Sequence, residues 1–348
     1  MMAGKKNLKI ELMRFYCTIV VCLHHFKMYS EDLPYGGGYI VVDFFFIISG
    51  YFLLRHIKSE NRESKKWSKI GNYAVKRYIR LLPPYLLAFL TALLIRRIFL
   101  GDIFEGAIGG YVREALMIEM FYNASGQRVN PPDWYCGCLI LSSILLYIVF
   151  EFGKHRLKKS YLLLISALCY GILFFRRGNI NIFPQTAGVF SIAYLRAFAG
   201  MTVGCFIYNF MNAQNRRFGE KWDKTVGGVL FIVISYMVLW DNAYRFTDYV
   251  VILLFILLFC LCVNKEWESN SRLLNRVIMF LGALSYTLYL NHYTVARVFS
   301  KKQYLITYDW KWASLIYLVS TVLFSVLLFL IEKGIKRGIM VLIKRKKR

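Results

Sequence analysis

Long and almost uncharged apolar segments dominate this sequence and limit what it can fold into. Hydrophobic residues make up 57% of the 348 positions. A helix that crosses a bilayer needs about 20 predominantly apolar residues, and the sequence contains ten segments of roughly that length. They predict an all-α integral membrane protein with about ten transmembrane helices. The predicted spans are 11–29, 38–55, 82–99, 134–152, 160–175, 187–210, 225–241, 247–263, 277–299 and 311–331.

The distribution of basic residues predicts how these helices are oriented. The chain has a formal net charge of +25. If both termini are cytoplasmic, 31 of the 45 Lys and Arg residues lie on that side, 12 lie on the other, and Arg14 and Arg196 lie within spans. This asymmetry is the positive-inside pattern. The charge therefore sets the topology and contacts anionic lipid headgroups, as in the C-terminal KRKKR, so nucleic acid is not an expected partner.

The sequence predicts a single membrane domain over residues 1–348, ending in a short basic cytoplasmic tail, residues 333–348. Its longest polar intervals, Arg55–Arg80 and Gly101–Asp133, are too short to form a separate enzyme module. The first apolar segment lacks a small-residue cleavage site and is followed at once by another span, so we expect it to be retained. An active site must then lie among the helices or at their ends.

The eight cysteines fall mostly inside apolar segments. A free cysteine there behaves as a small buried hydrophobe. Cys136 and Cys138 are close enough in sequence to be metal ligands or a strained disulfide, but two cysteines without further ligands favour packing. No metal site is expected.

The first span, MRFYCTIVVCLHHFKMY, carries charged and titratable side chains that are costly in hydrocarbon. Arg14 and His25 are eleven residues apart, about 16.5 Å along a helix, and within roughly 20° of one face. One face thus offers a cation near its cytoplasmic end and an imidazole towards its outer end. The alternative is that Arg14 reaches the headgroups and His25 hydrogen-bonds a neighbouring helix. His24 points about 100° away from His25.

The second span, GGGYIVVDFFFIISGYFL, places Asp43 at a depth similar to that of His25. An intramembrane carboxylate beside a histidine orients the imidazole, fixes its tautomer and raises its basicity. We therefore predict that Asp43 pairs with His25. The alternative interpretation is that the two residues form a hydrogen bond with a structural role only, since this would bring them equally close.

A basic segment, YAVKRYIRLLPPYLL, precedes the third span. Arg77 and Arg80 are three residues apart and share a helical face, with Pro83 and Pro84 at the start of the span. Paired guanidinium groups at a cytoplasmic membrane boundary suit phosphate or pyrophosphate groups. Ordinary positive-inside anchoring, shared with Lys76, is the alternative interpretation.

Three further segments carry polar or aromatic residues that are candidates for a functional site: two lie within later spans and one lies where a span begins. Arg196 lies near the middle of its span, so it needs a partner or an aqueous cavity. His292 lies in the outer half of FLGALSYTLYLNHYTV, which also contains Tyr286, and such a helix is more often a packing element than a site. Trp134 opens a span from the outside and suits either an interfacial aromatic belt or a sugar-stacking platform.

Taken together, these segments resemble the acyltransferase-3 family of membrane acyltransferases. The resemblance covers essentially the whole chain, with the family motifs in the right order. The matching segments are Arg14 and His25 in the first span, VDFFFIISG with Asp43 in the second, Arg77 and Arg80 followed by Pro83 and Pro84, Arg196 with Gly200 and Gly204, and Ser285, Tyr286, Tyr289, Leu290 and His292 in the late segment.

One segment departs from the family pattern. Many members read like W-S-L-x-x-E at the fourth span, whereas this chain has WYCGCLI without a carboxylate. If that glutamate contacts the acceptor in other members, the acceptor of this chain differs from theirs. We expect no appended esterase-like domain of the kind that some members carry, so the reaction is expected within the ten-helix unit or with a separate partner.

The resemblance implies an O-acyltransferase, most simply an O-acetyltransferase, in the bacterial cytoplasmic membrane. Its donor would be cytoplasmic acyl-CoA, with acetyl-CoA expected, and its acceptor a hydroxyl of a cell-surface or lipid-linked carbohydrate.

A transporter or flippase of a glycan or an anionic small molecule would also use intramembrane Arg, His and Asp. Such proteins often show internal repeats or interrupted helices, and the sequence shows neither. A glycan polymerase is a third possibility, although it should carry a large outer loop.

The same resemblance implies roles for the site residues. Arg77 and Arg80, with Arg14, would bind the coenzyme A phosphates, and His25 would act as general base with Asp43 orienting it. Direct transfer and an acyl-histidine intermediate both remain open. The candidates for binding substrate or stabilising the oxyanion are Arg196, His292, Tyr286 and Trp134.

Overall fold

The computed structural model describes residues 7–30, 33–60, 65–102, 108–118, 128–153, 159–181, 186–187, 190–212, 219–240, 246–265, 267, 269–303, 305 and 307–346. Eleven α-helices lie in these ranges. They are α1 (Leu8–Phe26), α2 (Val41–Ser59), α3 (Lys66–Leu94), α4 (Ile108–Ala115), α5 (Trp134–Phe152), α6 (Lys159–Arg177), α7 (Ala193–Asn212), α8 (Glu220–Trp240), α9 (Phe246–Asn264), α10 (Arg272–Lys302) and α11 (Trp310–Lys346).

The contacts of α1 with later helices, one set at its start and one near its finish, define two ends of the bundle. We call the end at which α1 begins the basal end and the end at which α1 finishes the distal end. At the basal end, the side chain of Asn7 donates to Cys262 O at the end of α9, and Lys9 pairs with Asp223 near the start of α8. Under the predicted topology the basal end is cytoplasmic.

Each of the ten predicted spans corresponds to one helix, and eight described helices are long and apolar enough to cross a membrane. The other two are α1, which contains Lys9, Glu11 and Arg14, and α7, which contains Arg196. The multi-pass helical class is therefore confirmed, while ten spans and cytoplasmic termini remain predictions. Both α1 and α7 lie inside the bundle, where α7 packs on α2 and α1 packs on α10.

Several helix ends differ from the ends of the predicted spans. Helix α3 begins at Lys66, so Pro83 and Pro84 lie inside a continuous helix, and a π-helical turn, Ile95–Phe99, follows it. The predicted span 187–210 becomes helical only at Ala193, because residues 186–187 and 190–191 pair as two short antiparallel strands. The predicted tail from residue 333 continues α11 as far as Lys346.

Glycines allow the central helices to approach closely. A Cβ atom on Gly50 of α2 would overlap the backbone of Met201 on α7, and one on Gly204 of α7 would overlap the backbone of Ile47 on α2. Backbones this close require residues without side chains, as in other membrane helix pairs. The contact fixes α2 against α7 and thereby sets the position of the polar residues on both helices.

Candidate active site

Two histidines on neighbouring helices meet in the distal half of the bundle. The ring of His25 on α1 lies 5.0 Å, centroid to centroid, from the ring of His292 on α10. His24 and Tyr293 also pack against the His25 ring, at 5.3 and 5.7 Å. The interface of α1 with α10 therefore brings together two of the residues that the sequence singled out separately.

The hydrogen bond of His292 fixes which of its ring nitrogens can take part in chemistry. His292 is fully buried, and its Nδ1 lies 2.5 Å from the carbonyl oxygen of Tyr289. A carbonyl oxygen only accepts, so Nδ1 carries the proton and Nε2 of the neutral ring carries a lone pair. Within the described part of the chain Nε2 has no hydrogen-bond partner. It is thus a buried acceptor beside His25.

Asp43 does not pair with His25 as predicted. It is fully buried, and its Oδ2 lies 2.7 Å from Nε and 2.6 Å from Nη2 of Arg196. Its Oδ1 accepts a hydrogen bond of 2.8 Å from the hydroxyl of Tyr170 on α6. No hydrogen bond joins Asp43 to His25 among the described residues. The two residues instead have separate partners, Arg196 and Tyr170 for Asp43 and the ring of His292 for His25.

Arg196 finds in Asp43 the partner that its depth in the membrane requires. Its remaining donors reach backbone carbonyls, with Nη2 2.6 Å from Tyr39 O and Nη1 3.1 Å from Ile180 O. The guanidinium group also lies 5.6 Å from the ring centroid of Trp134, a cation–π distance. With its N–H groups directed at these partners, Arg196 holds α2, α5 and α7 together and is poorly placed to stabilise an oxyanion.

Sequence reasoning missed Asp248, a second buried carboxylate near this pair. Its Oδ1 accepts a 2.6 Å hydrogen bond from the hydroxyl of Tyr39, and its Oδ2 accepts from the backbone N–H of Ile180 at 3.0 Å. Tyr39 and Ile180 both also bind Arg196 through their carbonyl groups. We call Asp43, Arg196, Tyr170, Tyr39 and Asp248 the arginine clamp. The sequence signal that could have identified Asp248 is its position as an acidic residue in the first turn of an otherwise apolar helix.

The three predicted coenzyme A ligands differ in their surroundings. Arg77 is partly buried and donates from Nη1 to the hydroxyl of Tyr73 at 2.9 Å. Arg14 pairs with Glu11 at 3.2 Å. Arg14 and Arg77, from different helices, both lie within electrostatic range of Tyr135. Arg80 is exposed, so the structure brings Arg14 and Arg77 towards one interior region and leaves Arg80 on the surface.

A line of aromatic side chains connects that interior region to the histidines. The ring of Tyr135 on α5 lies 5.4 Å from that of Tyr289 on α10, and Tyr289 lies 5.6 Å from His292. Phe45 packs against both tyrosines, at 6.1 and 6.3 Å. Arg77 lies within electrostatic range of Tyr135, and ring contacts lead from Tyr135 through Tyr289 to the histidine pair. We call this line of residues the interior route.

The remaining candidates take part in packing. The Tyr286 hydroxyl donates to Leu81 O at 3.3 Å and lies 3.5 Å from the sulfur of Cys136. Trp134 is only 8% exposed and lies beneath Arg196, so it offers no open face for a sugar. Cys136 and Cys138 are both fully buried. No group of side chains suited to a metal ion occurs in the described ranges.

A buried polar network, also missed from the sequence, closes the distal end beside the histidines. The Glu114 carboxylate accepts the backbone N–H groups of Val129 and Asn130, at 3.0 and 2.8 Å, and the Asn130 amide donates to Leu290 O on α10 at 2.8 Å. Burial raises the pKa of Glu114 even though these N–H groups act to lower it. The network fixes the segment before α5 against the turn that carries His292.

Asp102 joins the same distal region to α10. Burial alone would raise the pKa of Asp102, but hydrogen bonds from Lys301, at 2.7 Å, and Arg96, at 2.9 Å, hold it below its usual value. Arg96 also donates to Val129 O at 2.6 Å. The ends of α3 and α10 and the segment before α5 are thereby held together as one distal wall.

Comparison with protein families gives a match over most of the chain. The model of a family described as an acyltransferase domain, acyltransferase-3, matches residues 7–330, nearly the whole chain. No curated protein and no solved structure matches significantly. The matched range includes both histidines, the arginine clamp and the interior route.

Proposed function

The chain belongs to the acyltransferase-3 family of membrane acyltransferases, and from this we propose that it transfers an acyl group, most simply acetyl, from cytoplasmic acyl-CoA to a hydroxyl of a cell-surface or lipid-linked carbohydrate. The observation that carries the proposal is the pair of His25 and His292 at the end of a route that begins at Arg77. We place the reaction in the bacterial cytoplasmic membrane, with the basal end facing the cytoplasm.

Donor binding begins at the basal half of the bundle. Arg77, together with Arg14, binds the phosphate groups of coenzyme A, because guanidinium groups form strong, charge-assisted hydrogen bonds with phosphate oxygens. Arg80, which is exposed, adds long-range attraction only. The extended pantetheine arm then passes Tyr135 and Tyr289 and brings the thioester to the histidines. The length of about 16.5 Å between Arg14 and His25 along α1 suits an extended chain.

His25 is the general base in this proposal. Its imidazole takes the proton of the acceptor hydroxyl as the oxygen attacks the thioester carbonyl, the C–S bond breaks, and the thiolate of coenzyme A leaves and takes up that proton. A positioned base of this kind contributes on the order of 10²–10⁴ in rate. Nε2 of His292 lies beside the His25 ring and has no hydrogen-bond partner within the described part of the chain. In this proposal it accepts a hydrogen bond from the His25 ring once the substrates are bound and so sets the tautomer of that ring, which is the role that the sequence had given to Asp43.

In this proposal the arginine clamp holds helices in position and takes no part in the chemical step. Asp43 and Arg196 contact each other rather than the reacting atoms, and they fix α2 against α7. The supporting observations are the complete burial of both side chains and their shared partners. We therefore assign Asp43 as a positioning residue.

Transfer of label from radiolabelled acetyl-CoA tests the proposal. Membranes containing the chain are incubated with the donor, and label is followed into envelope glycan. Labelled glycan that depends on the chain is expected. Glycan that stays unlabelled, under conditions where a known membrane acetyltransferase works, contradicts the proposed function.

A further inference from the structure

A cavity of about 410 Å³ opens at the distal end, apart from the histidine pair and the interior route. It lies between the segment that follows α1, the end of α10 and the start of α11. Tyr29, Ser30, Gln303, Tyr308 and Trp310 line it. Three aromatic rings, two polar side chains and the apolar Leu33 and Ala313 therefore surround a space that none of the proposed donor contacts uses.

The chemistry of this lining suits a carbohydrate. Trp310 and Tyr308 are 37% and 52% exposed, so part of each ring is open for stacking. Lys311 Nζ lies 5.5 Å from the centroid of the Trp310 ring, which leaves the other face of that ring for a sugar. The hydroxyl of Tyr29 is buried at the cavity and has no hydrogen-bond partner within the described ranges. A sugar ring offers an apolar face to an aromatic ring and hydroxyl groups to a buried polar atom, a combination typical of amphipathic ligands in such pockets. An interfacial aromatic belt would not require a buried, unpartnered hydroxyl.

The backbone connects this cavity directly to the proposed reaction centre. Tyr29 stacks on Phe26, the residue after His25, with ring centroids 5.2 Å apart, and Phe26 stacks on Tyr317 of α11 at 4.3 Å. The Tyr317 hydroxyl lies 3.1 Å from Cys22 O on α1 and 3.2 Å from His292 O on α10. The cavity wall and the histidine pair thus share the same three helices.

We propose that this cavity is a glycan subsite, which binds a sugar unit adjoining the one that is acylated. The inference rests on the proposed function for the identity of the acceptor. It also moves the sugar-stacking platform from Trp134, which is buried, to Trp310 and Tyr308. A bilayer lipid headgroup is the competing occupant, and the experiment separates the two.

The experiment measures saccharide binding and acyl transfer separately, with the full chain in nanodiscs. The binding probe is the mixture of oligosaccharides released by mild acid from the envelope of the source cells, observed by saturation-transfer difference NMR. Trp310→Ala and Tyr29→Phe remove the stacking face and the buried hydroxyl. Trp312→Ala is the matched control, because Trp312 is 61% exposed, lies two residues away and does not line the cavity.

Wild type and Trp312→Ala are expected to show saturation transfer to the saccharides. Trp310→Ala is expected to lower the affinity for the saccharides about tenfold, which corresponds to about 1.4 kcal/mol of binding free energy. Tyr29→Phe, which keeps the ring, should weaken binding less. In the transfer assay Trp310→Ala should raise the KM for glycan and leave the KM for acetyl-CoA unchanged.

Absence of saccharide signals in the wild type overturns the subsite, whether or not acyl transfer occurs, and leaves the lipid headgroup as the occupant. Equal binding by Trp310→Ala and wild type also overturns it, as does an equal loss in Trp312→Ala. Saccharide binding that depends on Trp310, without any acyl transfer by the wild type, supports the subsite and contradicts the proposed function instead.

Discussion

The imidazole rings of His25 and His292 lie 5.0 Å apart, although 266 residues separate them in the sequence. Because Nδ1 of His292 donates to Tyr289 O, its Nε2 is an acceptor available to His25. This relationship replaces the Asp43–His25 pair with a histidine–histidine pair. It also makes His292 unsuited to stabilising an oxyanion while its ring is neutral, since Nε2 then has no proton to donate.

His292→Phe is expected to lower kcat about 10- to 100-fold without changing the affinity for acetyl-CoA, because it removes the acceptor that sets the His25 tautomer. His292→Asn offers a side-chain oxygen as an alternative acceptor and should recover part of the loss. Single-turnover rates and equilibrium binding of acetyl-CoA measure the two effects. A partial recovery distinguishes positioning from simple packing, and identical rates for both variants would count against the assigned role.

Substitutions in the arginine clamp should act on stability. Asp43→Asn leaves Arg196 as a buried charge without its counter-ion, which typically costs about 3–5 kcal/mol. We expect a clear fall in the unfolding midpoint in detergent, and Arg80→Gln is the control because Arg80 is exposed. The fraction that remains folded should retain much more activity than His25→Ala. Folded Asp43→Asn protein as inactive as His25→Ala would instead mean that Asp43 acts on His25 directly.

The two arginines of the R-x-x-R motif should differ in their effect on donor binding. Arg77 is partly buried and within electrostatic range of Tyr135, whereas Arg80 is exposed. Arg77→Gln should therefore raise the KM for acetyl-CoA about tenfold, the loss of roughly 1.4 kcal/mol of binding. Arg80→Gln should change it by less than about threefold, and its effect should disappear at high salt. Equal effects at high salt would contradict this division.

Two glycines test the close contact of α2 with α7. Gly50→Ala places a methyl group against the backbone of Met201. A helix backbone cannot shift as a flexible side chain can, so we expect a large loss of folded protein. Gly71→Ala on α3 is the matched control, because no atom lies within 4 Å of the added Cβ. It should stabilise the helix by roughly 0.5–1 kcal/mol. Thermal unfolding of both proteins measures the difference, and a Gly50→Ala protein as stable as wild type would refute the contact.

The sequence predicted the helices well because a bilayer imposes length and apolarity on each of them. It also predicted that Arg196 needs a partner, since a charge at that depth is costly. It chose the wrong partner for Asp43 because depth follows from residue number, whereas the angle around the bundle depends on which helices pack together. Only the packing of α2 on α7 places Asp43 against Arg196.

Other parts of the site depend on contacts that no local pattern contains. Glu114 binds two backbone N–H groups 15 and 16 residues away, and Asp248 binds Tyr39 across 209 residues. Trp134 appeared suited to stacking on a sugar because it opens a span, yet the structure buries it beneath Arg196. Side chains at the ends of helices are therefore the least predictable, because loops and neighbouring helices decide whether they are exposed.

The most direct test of the central claim is the rate at which His25→Ala transfers label from radiolabelled acetyl-CoA to envelope glycan, measured with the full chain in nanodiscs. His24→Gln is the neighbouring control, since His24 packs beside His25 and donates to Tyr35 O. We predict that His25→Ala lowers the rate by on the order of 10²–10⁴ with acetyl-CoA binding unchanged, and that His24→Gln retains most of the activity. A well-folded His25→Ala protein that transfers label at the wild-type rate would contradict the assignment of His25 as the base.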